Sequence, residues 1–275
     1  MQVASQIGVA TNLLSAPAPF SPERRRLFEV LDGLRGIAAG AVLFGHATAI
    51  IVGHALFAHK YLAVQFFFML SGFVVSYAYE NRLQAGMRIT EFYVRRAIRL
   101  YPLIIAGTVM GTLFLARADG HFVSDSFRFI APIFSALAIP FPYTTYSFGH
   151  FPINPPEWSL FYELIAYFLF GALIKRSNTT RLIVVATISL ALSVTVSSLY
   201  AGVDAPFGSD IFTAAFSFCV GILLLHWYAH GLTFPFKVPF SLLALVLLVV
   251  CVTFPRFFVF QGTAFMLPVF SVVEF

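Results

Sequence analysis

Charge is what this chain has least of. Lysine, arginine, aspartate and glutamate make up 11% of its 275 residues, against roughly 25% in a soluble domain. So thin a polar coat excludes an ordinary water-soluble globule. Cysteine is almost missing too. Cys219 and Cys251 both lie in apolar runs, which argues against a disulfide framework and leaves them as small core residues; no metal-ligand spacing is present. Runs of alternating polarity are absent, which excludes a membrane β-barrel. Residues 1–30 lack the basic start and compact apolar stretch of a signal peptide. A net charge of +5, with no basic face interleaved with exposed aromatics, gives no reason to expect nucleic acid as a partner.

What is present is grease. The chain is 59% hydrophobic and 17% aromatic, with a mean hydropathy of +0.87. Eight apolar segments recur, at about 34–53, 61–79, 101–116, 157–174, 181–200, 210–228, 238–254 and 257–272. Crossing a hydrocarbon core about 30 Å thick takes about 17–25 helical residues. In lipid a helix satisfies its own backbone within one segment. The pattern predicts an all-α, polytopic transmembrane helical bundle of about eight spans in the lipid bilayer. A ninth stretch, FIAPIFSALAIPF at 129–141, is short and holds two prolines; it reads as re-entrant or interfacial. Residues 1–30 read as a flexible cytosolic tail ending in the cationic anchor SPERRR, and 31–275 as the membrane domain.

Positive charge orients the bundle. With the N-terminus inside, the cytosolic side receives Arg24, Arg25, Arg26, Arg35, Arg82, Arg88, Arg95, Arg96, Arg99, Lys175, Arg176, Arg181 and Lys237, or 13 of the 17 cationic residues. The outer side receives Lys60, Arg117, Arg128 and Arg256, and the loop 117–156 falls outside.

Ionisable groups inside a span are costly and point to function. His46 lies 11 residues after Arg35, three helical turns plus about 20°, so the two share a face, with Asp32 within about 40° of it. The rise sets His46 about 16 Å above Arg35. Glu163, six residues into the span that begins at Glu157, falls about 9 Å below the outer surface if Glu157 marks that surface. The two groups therefore come to similar depth. Gly36, Ala39, Gly40 and Gly45 are small enough to let a neighbouring helix approach. A plainer reading keeps His46 as a packing residue bonded to a carbonyl and Asp32–Arg35 as a surface pair. On the inner side, EFYVRRAIRLYP (91–102) carries Arg96 and Arg99. Arginine suits bidentate phosphate contacts, although a basic juxtamembrane segment equally answers the positive-inside rule and anionic lipid. Ser71, about 15 Å into its span, is expected to bond a backbone carbonyl. His54, His59, His121 and His150 read as loop residues, His226 and His230 as inner-interface residues, and Trp158 and Trp227 as belt aromatics.

Five pieces in order, Arg35 and His46 in DGLRGIAAGAVLFGH, FFFMLSGF (66–73), RRAIRLYP (95–102) and WSLFYE (158–163), resemble the acyltransferase-3 family of integral membrane acyltransferases. The resemblance implies transfer of an acyl group, usually acetyl, from cytosolic acyl-CoA to a hydroxyl of an extracytoplasmic glycan or related small molecule. It implies His46 as the catalytic residue, Arg96 and Arg99 as the paired arginines, and Glu163 as the glutamate after Trp158 and Ser159. It also implies about ten spans, two more than are counted here.

Residues and resemblance together give one expected mechanism. Acetyl-CoA keeps its phosphates near Arg35, Arg96 and Arg99 by charge-assisted bonds, and its flexible arm carries the acyl group toward His46. His46 acts as general base or as a covalent acyl carrier, with Glu163 orienting the ring. A carbohydrate or small-molecule acceptor arrives from outside. The competing class is a proton-coupled transporter with His46 and Glu163 as relay. No clear internal repeat supports that class.

Overall fold

The computed structural model describes residues 22–52, 60–117, 125–142, 149–174, 178–200 and 207–229, and helical residues 241, 242, 245, 246, 248 and 249. The side chains of 22–28, 46, 47, 49–52 and 60 lie outside the described set. Every regular element is a helix: α1 (Pro22–Val52), α2 (Lys60–Gln84), α3 (Ile89–Arg117), α4 (Asp125–Ala136), α5 (Glu157–Leu173), α6 (Thr179–Leu199) and α7 (Asp210–Ala229). No strand occurs among the described residues. The first six apolar segments expected from sequence fall in α1, α2, α3, α5, α6 and α7. The segment 238–254 is described only in part, and 257–272 lies outside the described residues. Four stretches, Tyr61–Gln84, Ile89–Arg117, Thr179–Leu199 and Asp210–Ala229, are long and apolar enough to cross a membrane. The chain is an integral membrane protein.

Two helices begin earlier than composition suggested. α1 starts at Pro22, so residues 22–30, expected as the end of a tail, are helical and continuous with the first apolar segment. Proline suits a first helical position because its missing N–H would have no partner there anyway. α3 starts at Ile89 and takes in the whole arginine-bearing stretch. Its buried residues Phe92, Arg96, Leu100, Ile104 and Thr108 recur every four positions. That single stripe keeps one face against the bundle well before the apolar segment begins, which is why the helix does not stop at the hydrocarbon edge. The stretch expected as re-entrant is α4, with Pro132 inside it. Its 12 residues rise about 18 Å, short of the membrane core. It ends in a tight turn that carries buried Ala138 at φ 53°.

The bundle is built around α2. Of its apolar window 67% is buried, against 17% for α3 and 22% for α6. Without a hydrophobic drive between helices in lipid, association rests on close packing. The tightest approach is between α2 and α7. A Cβ added at Gly72 would overlap the carbonyl oxygen of Phe218, and one at Gly221 would overlap that of Met69. The glycines expected to do this in α1 do not. A Cβ added at Gly36 or Gly40 would meet nothing within 4 Å among the described residues, and Ala39 is exposed. α1 meets α2 through Leu31, Leu34, Ala38 and Ala41, and residues 36, 39 and 40 fall off that stripe; only Gly45 is buried. The outward faces are apolar too. Ile98, Leu103, Val109, Met110 and Phe114 of α3 are all exposed, as a lipid-facing surface requires.

Candidate active site

Between α1, α2, α3 and α5 lies a cavity of 470 Å³. Among its walls are Arg35, Ser71, Arg96, Arg99, Ser159 and Glu163, residues brought from four helices. Six of the nine positions singled out from sequence therefore meet around one space. Along α2 the lining runs from Val64 to Val75, about 16 Å of helix axis. That is about half of the hydrocarbon core. Arg35 and Arg99 stand at one end, and Asn154, Pro156 and Ser159 at the other, the end that the charge pattern of the sequence leads one to expect outside.

The middle of the cavity is a hydrogen-bonded trio. Ser71 Oγ donates to Glu163 Oε1 at 2.7 Å and lies 2.8 Å from the Tyr167 hydroxyl. Tyr167 also donates to Glu163 Oε1. The expected backbone-carbonyl bond of Ser71 is thus replaced by a carboxylate and a phenol. The sequence count took α2 and α5 separately and had no means of pairing them. The bond sets Glu163 level with the middle of α2. Glu157 is not at an exposed surface at all; it is fully buried. Ser135 of α4 donates to Glu157 Oε2 at 2.5 Å, and Thr108 of α3 meets Ser135 at 2.8 Å. α4 therefore covers the start of α5.

Arg96 is only 4% exposed. Its guanidinium carbon lies 4.5 Å from the ring centroid of Tyr79 and 5.3 Å from that of Tyr167, contacts worth up to about 2 kcal/mol each when desolvated. Its Nε has no hydrogen-bond partner, and no carboxylate pairs with it among the described residues. A membrane-surface anchor is not built this way. Arg95 is: exposed, and paired with Glu91 at 2.8 Å. Arg99 is exposed and lines the cavity. Arg35 bonds Asp32 at 2.7 Å; Asp32 itself is 68% exposed and does not line the cavity.

At the outer end, Gly107 of α3 leaves room for Asn154, whose side-chain nitrogen a Cβ there would strike. Ser159 donates to the Pro156 carbonyl at 2.9 Å. Trp158 faces away from the cavity wall and packs edge-on to Tyr162, 6.0 Å between centroids, beside Phe68 and Ala214. His46 belongs to α1, but its side chain lies outside the described residues. His54, His59, His121, His230 and Cys251 also lie outside them.

Two histidines expected to be solvated or merely interfacial have defined partners. His150 Nδ1 is 2.9 Å from the Phe141 carbonyl and its ring is 4.0 Å from that of Phe207, so it holds the outer loop together. His226 Nε2 lies 3.0 Å from Glu80 Oε1, with Ser76 donating to the same carboxylate, and ties α7 to α2. Sequence reading passed over Glu80, Tyr79, Tyr167 and Asn154. Tyr167 was findable, being four residues after Glu163 and so on its face. Asn154 was not, because loop geometry alone brings it to Gly107.

The family model for the acyltransferase-3 acyltransferase domain matches residues 28–273. A protein described as "Protein 2 in picA locus", from Rhizobium radiobacter, is 33% identical over 187 residues, covering 62% of this chain and 95% of that protein. No solved structure matches.

Proposed function

The chain belongs to the acyltransferase-3 family and is an acyltransferase, and from that premise we propose that it acetylates a hydroxyl of an extracytoplasmic glycan or related small molecule with cytosolic acetyl-CoA as donor. On this reading it sits in the bacterial cytoplasmic membrane with its N-terminus in the cytoplasm. The observation that carries the reading is the cavity itself, with three arginines at one end, a part-buried carboxylate at its centre, and Asn154 and Ser159 at the other.

The donor's phosphates bind Arg99 and Arg35 at the inner rim. Arg96, buried and without an acidic partner, supplies a further cation deeper in. An unpaired buried guanidinium is costly unless a ligand's charge or dipole completes it. The apolar walls between, Val74, Val75, Leu100 and Leu103 among them, suit the pantetheine arm and acyl group. Glu163 takes and returns a proton at Oε1, held in place by Ser71 and Tyr167. His46 acts as base toward the acceptor hydroxyl, since an imidazole near neutrality can both accept and release a proton.

The test is the ester-linked acetyl content of surface glycans in cells with and without the gene. Loss of the gene should lower it and re-expression restore it. Unchanged acetyl content, together with solute movement driven by a pH gradient in reconstituted vesicles, would replace the enzyme reading with the transporter one.

A further inference from the structure

We propose that Ser71 is a covalent acyl carrier: its hydroxyl takes the acyl group from the thioester, and the acceptor then removes it. The inference rests on the acetyl-CoA reading above and extends it by one step. A serine hydroxyl is a weak nucleophile unless a base stands within bonding distance and the base is itself held in place. Both conditions are met. Ser71 Oγ is 2.7 Å from Glu163 Oε1. That carboxylate is fixed by Tyr167, four residues along the same helix. Ser71 opens on the cavity and precedes Gly72, which is locked against the Phe218 backbone. The nucleophile therefore stands on a rigid part of the bundle, as precise attack requires.

The step balances without any added reagent. Ser71 Oγ attacks the thioester carbonyl carbon as its proton passes to Glu163. The carbon–sulfur bond then breaks, and the thiolate leaves as CoA thiol by taking the proton from Glu163. The products are an acyl ester on Ser71 and free CoA. In the second half, the acceptor hydroxyl attacks the ester carbonyl and the Oγ leaves with a proton, regenerating serine. Tyr167, 2.8 Å from Ser71 Oγ, is placed to donate to the oxyanion in both halves, with the Arg96 charge behind its ring. Such groups act strongly in a dry site. A carrier also answers a problem of geometry. The donor enters at the arginine end and the acceptor at the Asn154 end, so an ester midway lets the two substrates use the cavity in turn.

The experiment uses purified full-length protein in lipid discs with acetyl-CoA labelled in the acetyl group and no acceptor. It reads acetyl-CoA binding, CoA thiol release in the first seconds, and the acetylated peptide by mass spectrometry after acid quench. The expected result is a burst near one equivalent of CoA and an acetyl ester on the peptide holding Ser71. S71A should bind acetyl-CoA as well as the wild type yet lose both burst and label. S71C should keep the burst and carry a thioester cleaved by neutral hydroxylamine, which a merely structural hydroxyl would not predict. Label on His46, or steady CoA release by S71A at the wild-type rate, overturns the inference and leaves the acetyl-CoA reading standing. A wild-type protein that neither binds acetyl-CoA nor releases CoA overturns both.

Discussion

The guanidinium of Arg96 lies 4.5 Å over the ring of Tyr79, inside the bundle and with no carboxylate partner among the described residues, whereas Arg95, one residue earlier, pairs with Glu91 in the open. Adjacent arginines thus have separate tasks. R96A and R99A should raise the apparent KM for acetyl-CoA by about tenfold or more, the loss of one charge-assisted contact of about 1.5–3 kcal/mol. R95A should change it less than about twofold. Donor titrations of the three variants check this. Equal KM values for all three would return Arg96 to a packing role.

His46→Ala should abolish acetyl transfer while membrane insertion and acetyl-CoA affinity stay at wild-type values. Transfer assays alongside donor binding separate the outcomes. A variant with most of its activity would remove His46 from the chemistry.

The α2–α7 contact leaves no space for side chains at Gly72 and Gly221. Gly221→Val should lower the thermal midpoint in detergent by several degrees, since overpacking costs about 1–3 kcal/mol or more. Gly36→Ala, on an uncrowded face, should leave it unchanged or slightly raise it. Fluorescence melts of the two proteins give the comparison. Equal stability would mean that the helices are not so close.

Where α2 ends and α7 ends, Glu80 and His226 meet at 3.0 Å although 146 residues separate them in sequence. Removing either partner takes a hydrogen bond from the other in a half-buried place, which costs about 1–3 kcal/mol. Single variants E80Q and H226A should therefore each destabilise the bundle, and the double variant by less than their sum. Strict additivity in unfolding measurements would deny the coupling.

Much of this was legible from the chain alone, for definable reasons. Helical class and six segments followed from apolar length, which the bilayer fixes almost by itself. The cavity's Arg35, Ser71 and Glu163 were legible because charged and polar residues in such segments are rare, and Arg96, Arg99 and Ser159 because their motifs resemble the family's. Partners were not legible. Ser71 and Glu163 are 92 residues apart, and nothing local pairs them. Nor could local pattern show that α4 buries Glu157, or that the close-packed glycines are Gly72 and Gly221 instead of Gly36 and Gly40. Small residues permit an approach; which helix accepts it is decided by the whole bundle.

Glu163 is where these threads join, so the rate of CoA release by E163Q is the most direct measure. In lipid discs, E163Q should bind acetyl-CoA like the wild type and release CoA at least about a hundredfold more slowly, the scale of a lost acid–base group. Release at the wild-type rate would show that the cavity between the arginines and the outer loop is not where the acyl group is moved.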